Sequence, residues 1–286
     1  MSVHRGQAGP GHRGSGSLSV TSTADASTLP SLVVHLERER ARALVRGAFP
    51  RRKWKIISTR SAEELEAVFR RVLVDAALID LGAPDEDIWK AAAFAAEFPS
   101  TPFFAIMPLR PTDTPAAARC ASLGFVDFIV DGIDDNAARD LVAPHAFSTR
   151  FRHALGDPPN ALGLTTQLQR SAWEVIVAHS GRPVTTKYLA KAVGLSREHL
   201  SRNFAKPGAP NLKRVIDLVR LIAAAELAKN PGHDIRDIAR ILDFASSSHL
   251  AVTAQRIFGT RPASLARLRT TDLIDRFAQG RTRSRT

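Results

Sequence analysis

Two stretches in the last third of the chain, 184–206 and 235–259, carry the same pattern, and that repetition limits the fold more than any other feature. In the first, Leu189 and Val193 are apolar, Ala190 is small where two helices would cross, and Gly194 supplies a left-handed turn. Ser196 is placed to cap a second helix whose Leu200 and Phe204, four apart, face inward. In the second, Ala239 repeats the small crossing residue and Asp243 takes the turn position of Gly194, where Asp is less at ease than Gly but better than most residues. Phe258 and Gly259 end that helix, and Pro262 sits near the start of a closing one. Between the two stretches, apolar residues at 212, 215, 216, 219, 222, 223 and 227 define a single amphipathic helix over 212–229, after Asn211.

Two helix-turn-helix-like segments on one rod suit a duplex. A helix of about 18 residues spans ~27 Å, close to the ~34 Å repeat of B-form DNA, so it can set two helices into successive major grooves. The charge distribution agrees independently. Residues 1–149 hold 17 Lys+Arg against 18 Asp+Glu, whereas 150–286 hold 23 against 10, so the net +12 sits in the C-terminal half. Such a surface attracts a polyanion by counterion release. A membrane surface fits less well, because the basic residues interleave with the helix-turn-helix spacing and no segment approaches the ~18 apolar residues of a span.

Other classes find little support. The nine histidines show no pairing at i, i+3 or i+4, so neither a metal nor another cofactor is expected. The single cysteine, Cys120, excludes an internal disulfide and reads as a small buried hydrophobe. Some DNA-repair alkyltransferases combine such a helical domain with a nucleophilic cysteine, but Cys120 has no Pro-Cys-His setting and lies in the other half of the chain. The chain is therefore not read as an enzyme. Residues 1–30 are rich in Gly, Ser and Thr with no apolar run and read as a disordered tail rather than a secretory signal, which makes the cytoplasm, at the nucleoid, the expected compartment.

From residue 31, apolar runs at 32–36, 54–58, 76–81, 103–107 and 125–130 alternate with helical patterns over 37–48, 61–72, 85–97, 115–123 and 134–142. Ser61 with Glu64 has the spacing of a capping box. The expected fold class is thus α/β plus all-α: a five-stranded parallel sandwich over 31–145, a linker over 146–164, a helical domain over 165–271, and a basic tail over 272–286. Arg276, Arg281, Arg283 and Arg285 in that tail show no apolar period and read as a flexible arm.

The strand–helix order, with Asp80 closing the third strand before Gly82 and Pro84, resembles the receiver domain of response regulators, a flavodoxin-like fold. The resemblance implies that Asp80 is the candidate phosphoacceptor. It also implies that the rest of that site is missing: His35 and Leu36 stand where the family has magnesium-binding acids, Met107 or Pro108 where it has a hydroxyl, and Asp131 where it has a lysine. Phosphoryl transfer needs a cation and a fixed positive charge, so a receiver used for self-association or for a partner protein is favoured over one that is phosphorylated.

Over roughly 165–270 the chain resembles the AraC/XylS transcriptional regulators, on Leu189, Ala190, Gly194, Ser196, Leu200 to Phe204, Arg220 to Leu227, Asp237 to Ala239, Phe244 and Phe258 to Pro262. Inward Leu200 and Phe204 leave Arg197, Glu198, Ser201 and Arg202 on the outer face of the first recognition helix, with Arg202 suited to bidentate contact with guanine. The resemblance adds Ser247, Ser248 and His249 on the second. That unit departs from the family at Asp243, Ala251, Val252, Ala254 and Gln255, and a valine cannot donate to a phosphate or a base, so weaker readout is expected there. The implied partners are promoter or operator DNA, RNA polymerase beside it, and a second copy through the N-terminal domain. The alternatives are a phosphorylation-dependent regulator using Asp80 and a nonspecific DNA-packaging or adaptor protein.

Overall fold

A computed structural model describes residues 29–108, 110–205 and 209–283. The 1–30 tail therefore lies almost wholly outside the described residues.

The N-terminal half runs β1(Ser31–His35), α1(Glu39–Ala48), β2(Lys55–Thr59), α2(Ala62–Phe69), β3(Ala76–Asp80), α3(Glu86–Glu97), β4(Phe103–Met107), α4(Thr114–Leu123), β5(Asp127–Val130) and α5(Ala138–Val142). All strands pair in parallel in the order β2-β1-β3-β4-β5, with Val33 opposite Ala77 and Asp80 opposite Ile106. This is the receiver and flavodoxin-like strand order. Alternation along each strand feeds two cores. Val33, Ala77, Ile79, Phe103 and Ala105 pack on the face covered by α2, α3 and α4, while Leu32, Val34, Ala76, Leu78, Phe104 and Ile106 pack on the face covered by α1 and α5. Because both faces are covered, β1, β3 and β4 are buried throughout and read as continuous apolar runs. Ser61 caps α2 by accepting from the Glu64 N–H, and the Glu64 carboxylate returns to the Arg60 N–H. The last helix starts four residues later than its apolar pattern suggests, because the Asp134 carboxylate accepts from the Val130 N–H and holds a turn ahead of it.

The C-terminal half is α6(Phe147–Leu155), α7(Gln167–Ala178), α8(Thr186–Ala192), α9(Arg197–Phe204), α10(Leu212–Leu227), α11(Ile235–Ile241), α12(Ser247–Phe258), a 3-10 turn over Pro262–Arg267, and α13(Thr270–Arg283). One apolar core runs through all of it. Two expectations need correction. The stretch 146–164, read as a linker, contains α6, which places Phe147, Phe151 and Leu155 in the helical core. Trp173 Nε1 fastens its end by donating to the Gly156 carbonyl at 2.9 Å. Nor is the tail over 272–286 a flexible arm as far as residue 283: Leu273, Ile274 and Phe277 of α13 are buried, at the i, i+1 and i+4 positions of one helix face. Arg285 lies outside the described residues.

Loops at the N-terminal edge of the sheet meet the helical domain along a polar seam. Buried Asp75, just before β3, accepts from the Ser31 and Ser148 N–H groups and from Arg182 Nη2 at 3.0 Å. Arg70, at the end of α2, donates to Asp237 at 2.9 Å and to the Gly232 carbonyl, and the Gly232 N–H donates to Glu97. Ser100 donates to Asn230 and to the Glu226 carbonyl.

Candidate nucleic-acid interface

Both helix-turn-helix units are built as their sequences require. In the first, Thr185 caps α8 through the Tyr188 N–H, Gly194 turns the chain at φ +70°, and Ser196 caps α9 through the His199 N–H. Leu200 and Phe204 are fully buried, and the last carbonyl of α9 accepts from Gln169 Nε2 at 2.7 Å, which fixes the helix to α7. Arg197, Glu198, Ser201 and Arg202 are all exposed on one face.

In the second unit Asp234 and Asp237 form a reciprocal capping box on α11. Asp243 takes the left-handed turn at φ +54°, as expected from its alignment with Gly194. Ser246 caps α12 through the His249 N–H, and Leu250, Ala254 and Ile257 face the core. Ser248 and His249 are exposed, while Ser247 is half-buried. Val252 is 66% exposed, so an apolar side chain stands on the face where a donor would be useful.

Three residues that hold this unit in place escaped the sequence reading as functional groups. The Arg220 guanidinium donates to the Leu242 and Asp243 carbonyls and lies 4.0 Å over the Phe244 ring, clamping the turn to α10. Arg256 Nη2 donates to Asp217 at 2.7 Å and ties α12 to the same helix. Burial pushes the Asp217 carboxyl above its ordinary value against the pull of Arg256, and burial likewise lowers Arg220 despite the nearby charges of Asp217 and Asp243. The available signal was a pair of opposite charges at 217 and 220, three apart, set among the apolar residues 215, 216, 218, 219, 221 and 222 of the helix.

At the opposite, strand C-terminal edge of the α/β domain, Asp80 is 1% exposed and both its oxygens are occupied. The Arg38 backbone N–H donates to Oδ2 at 2.8 Å, and Arg38 Nε and the Gly82 N–H donate to Oδ1. Arg38 Nη2 also lies 2.6 Å from Oδ1, and its Nη1 reaches Asp131 at 2.6 Å. A single guanidinium thus sits between the two acids. Burial works against the charge on Arg38, but hydrogen bonds and attraction from Asp80 and then Asp131 outweigh it, so the net shift of its pKa is upward. Gly82 is needed for this packing, since a Cβ there would fall 1.9 Å from the Arg38 Cζ. His35 is buried with Nδ1 3.2 Å from the Thr59 hydroxyl. Sequence reasoning found Asp80 and Asp131 but missed Arg38, although two acids at one sheet edge without a lysine call for another cation.

Cys120 is fully buried and burial pushes its thiol up to about 11, with Arg119 opposing, so a thiolate is strongly disfavoured. Among the described residues no group of three His, Cys, Asp or Glu side chains is placed to hold a metal, and no helix is long and apolar enough to cross a membrane.

Residues 189–267 match the family described as "Helix-turn-helix domain", from within α8 to the end of the 3-10 turn. This part of the chain is an AraC-type helix-turn-helix domain, the DNA-binding domain of transcription regulators, and it follows a receiver-like parallel sandwich. Among curated proteins, none matches the chain significantly. Solved structures with similarity include a response regulator from Thermotoga maritima, 19% identical, at a TM-score of 0.35, covering 41% of this chain and 97% of that one. Another is full-length FixJ from B. japonicum, 13% identical, at a TM-score of 0.36, covering 84% of this chain and 98% of that one.

Proposed function

We propose that this protein is a sequence-specific transcriptional regulator that binds operator DNA through α9 and α12 and whose receiver-like domain works without phosphoryl transfer. The observation that carries the reading is the outward row of Arg197, Glu198, Ser201 and Arg202 on a capped helix whose opposite face is buried. Arginine and serine donors on such a helix reach base edges and phosphates in the major groove. Ser248 and His249, with Ser247 beside them, supply the second contact, weakened by Val252. Arg38 occupies both oxygens of Asp80 that a phosphoryl group would have to approach, its guanidinium on Oδ1 and its backbone N–H on Oδ2, which supports input by association rather than by phosphorylation. Val126, 42% exposed just before the last strand, and Ile133, 79% exposed just after it, are apolar side chains that pairing with a second copy through the α/β domain would cover. Contact with RNA polymerase would follow from where the operator lies.

Retention of sheared genomic fragments by the full chain, followed by sequencing, tests this. Discrete peaks upstream of coding regions are expected. Uniform retention with a steep salt dependence would favour nonspecific packaging, the reading to which Val252 lends some weight. Incubation with acetyl phosphate and magnesium should leave Asp80 unmodified, and a stoichiometric acyl phosphate would overturn that part of the reading.

A further inference from the structure

We propose that the receiver-like domain is a brace that fixes the mutual setting of the two helix-turn-helix units, with Arg70, Ser100 and Arg182 as positioning residues. The inference rests on the DNA-binding reading and adds a role for the seam.

The two units are entered through different loops, and both loops are tied to the same edge of one sheet. The loop leading into α8 carries Arg182, held by the Leu73 carbonyl and by Asp75 at the start of β3. The loop leading into α11 runs from Asn230 to Asp234. Its Asn230 Oδ1 accepts from the Ser100 N–H at 2.8 Å, and its Gly232 N–H donates to the Glu97 carbonyl at 3.0 Å. His233 Nε2 lies 3.1 Å from the Phe69 carbonyl, and the imidazole packs 4.8 Å from the Phe98 ring. Arg70 then grips α11 itself through Asp237, and Arg240 of α11 returns a bond to the Arg70 carbonyl. A sheet whose central strands β1, β3 and β4 are buried on both faces is stiff, so anchoring both loops beside β3 and β4 couples the units by a second route besides α10.

The brace leaves the reading surface open. Among the described residues, no hydrogen bond or ion pair of the α/β domain reaches α9 or α12. The Asp80–Arg38 edge lies at the other end of the strands. A seam that holds the units without covering them supports DNA binding rather than masking it. Two recognition helices set for a fixed groove spacing lose little orientational freedom when they bind together.

The test uses the full chain with Arg70→Ala plus Arg182→Ala, and separately Gly232→Ala, whose Cβ would meet the Phe98 ring at 2.6 Å and wedge the seam. Spin labels at Lys191→Cys in α8 and Val252→Cys in α12, both exposed positions, report the distance between units, and buried Cys120 stays unlabelled. A narrow distance distribution is expected in the parent and a clearly broadened or displaced one in each seam variant, with helicity retained. On duplexes carrying both binding blocks the variants should lose affinity about tenfold, against less than about twofold on a single block, as expected when only the coupling of two contacts is lost. Unchanged distance distributions, or equal losses on one-block and two-block duplexes, would overturn the brace. The distance measurement needs no DNA, so a parent chain that selects no sequence defeats the DNA-binding reading separately.

Discussion

If α9 and α12 read DNA as proposed, single residues decide how strongly each unit does so. Arg202 is exposed with a forked set of donors, and Arg202→Ala should weaken specific binding by ~1–3 kcal/mol, the usual cost of one bidentate base contact. Val252→Ala should change it little, and anisotropy titrations of the two variants check the asymmetry. Arg38 is the residue on which the sheet edge depends. Replacing it by Ala leaves two nearly buried carboxylates facing each other, at a cost of about 2–4 kcal/mol once the partial exposure of Arg38 is allowed for. Adding Asp131→Asn should recover part of that loss in urea unfolding. Much at this scale was legible beforehand: the caps Ser61 and Ser196, the turn residues Gly194 and Asp243, and the outward face of α9 all follow from local rules. Arg38, Arg220 and Asp217 were not, because their partners lie 42, 22 and 39 residues away in sequence and only the tertiary fold brings them together.

Elements differ in how openly they announce themselves. The strands are plain as apolar runs, since a sheet covered on both faces buries every residue of its central strands. The helices α6 and α13 were hidden. Each combines a short apolar stripe with many basic or hydroxyl residues, and α6 is followed by a Gly-Asp-Pro-Pro sequence that reads as a linker. The turn between α11 and α12 offers a paired prediction. Arg220→Ala removes two charge-assisted bonds and a ring contact and should destabilise the domain by about 2–3 kcal/mol. Asp243→Gly relieves a left-handed backbone and should stabilise it by up to ~1 kcal/mol. Chemical denaturation of both variants reads the opposite signs directly.

At the scale of the whole molecule, a nearly neutral α/β domain is joined to a strongly basic helical one, and the seam between them has its own pH dependence. Burial lowers the pKa of His233, opposed by hydrogen bonds to the Phe69 and Leu227 carbonyls and by Asp237, with Arg70 adding to the depression. A histidine held neutral in the folded state contributes its full share above the unfolded value and loses it on acidification. Stability should therefore fall as pH drops below ~6.5, by at most ~1.4 kcal/mol per pH unit until the folded pKa is reached. Thermal unfolding of His233→Gln should show a shallower fall over that range. The overall reading places DNA contact on one open face, the brace behind it, and the sealed Asp80 edge farther away. Selection of bound duplexes from a random pool at physiological salt, with the parent and Arg202→Ala side by side, tests its central claim most directly. The account predicts an enriched site of two blocks about one helical turn apart, with Arg202→Ala blurring one block and sparing the other. Tight, salt-sensitive binding with no enriched sequence, or a motif that Arg202→Ala leaves intact, would contradict it.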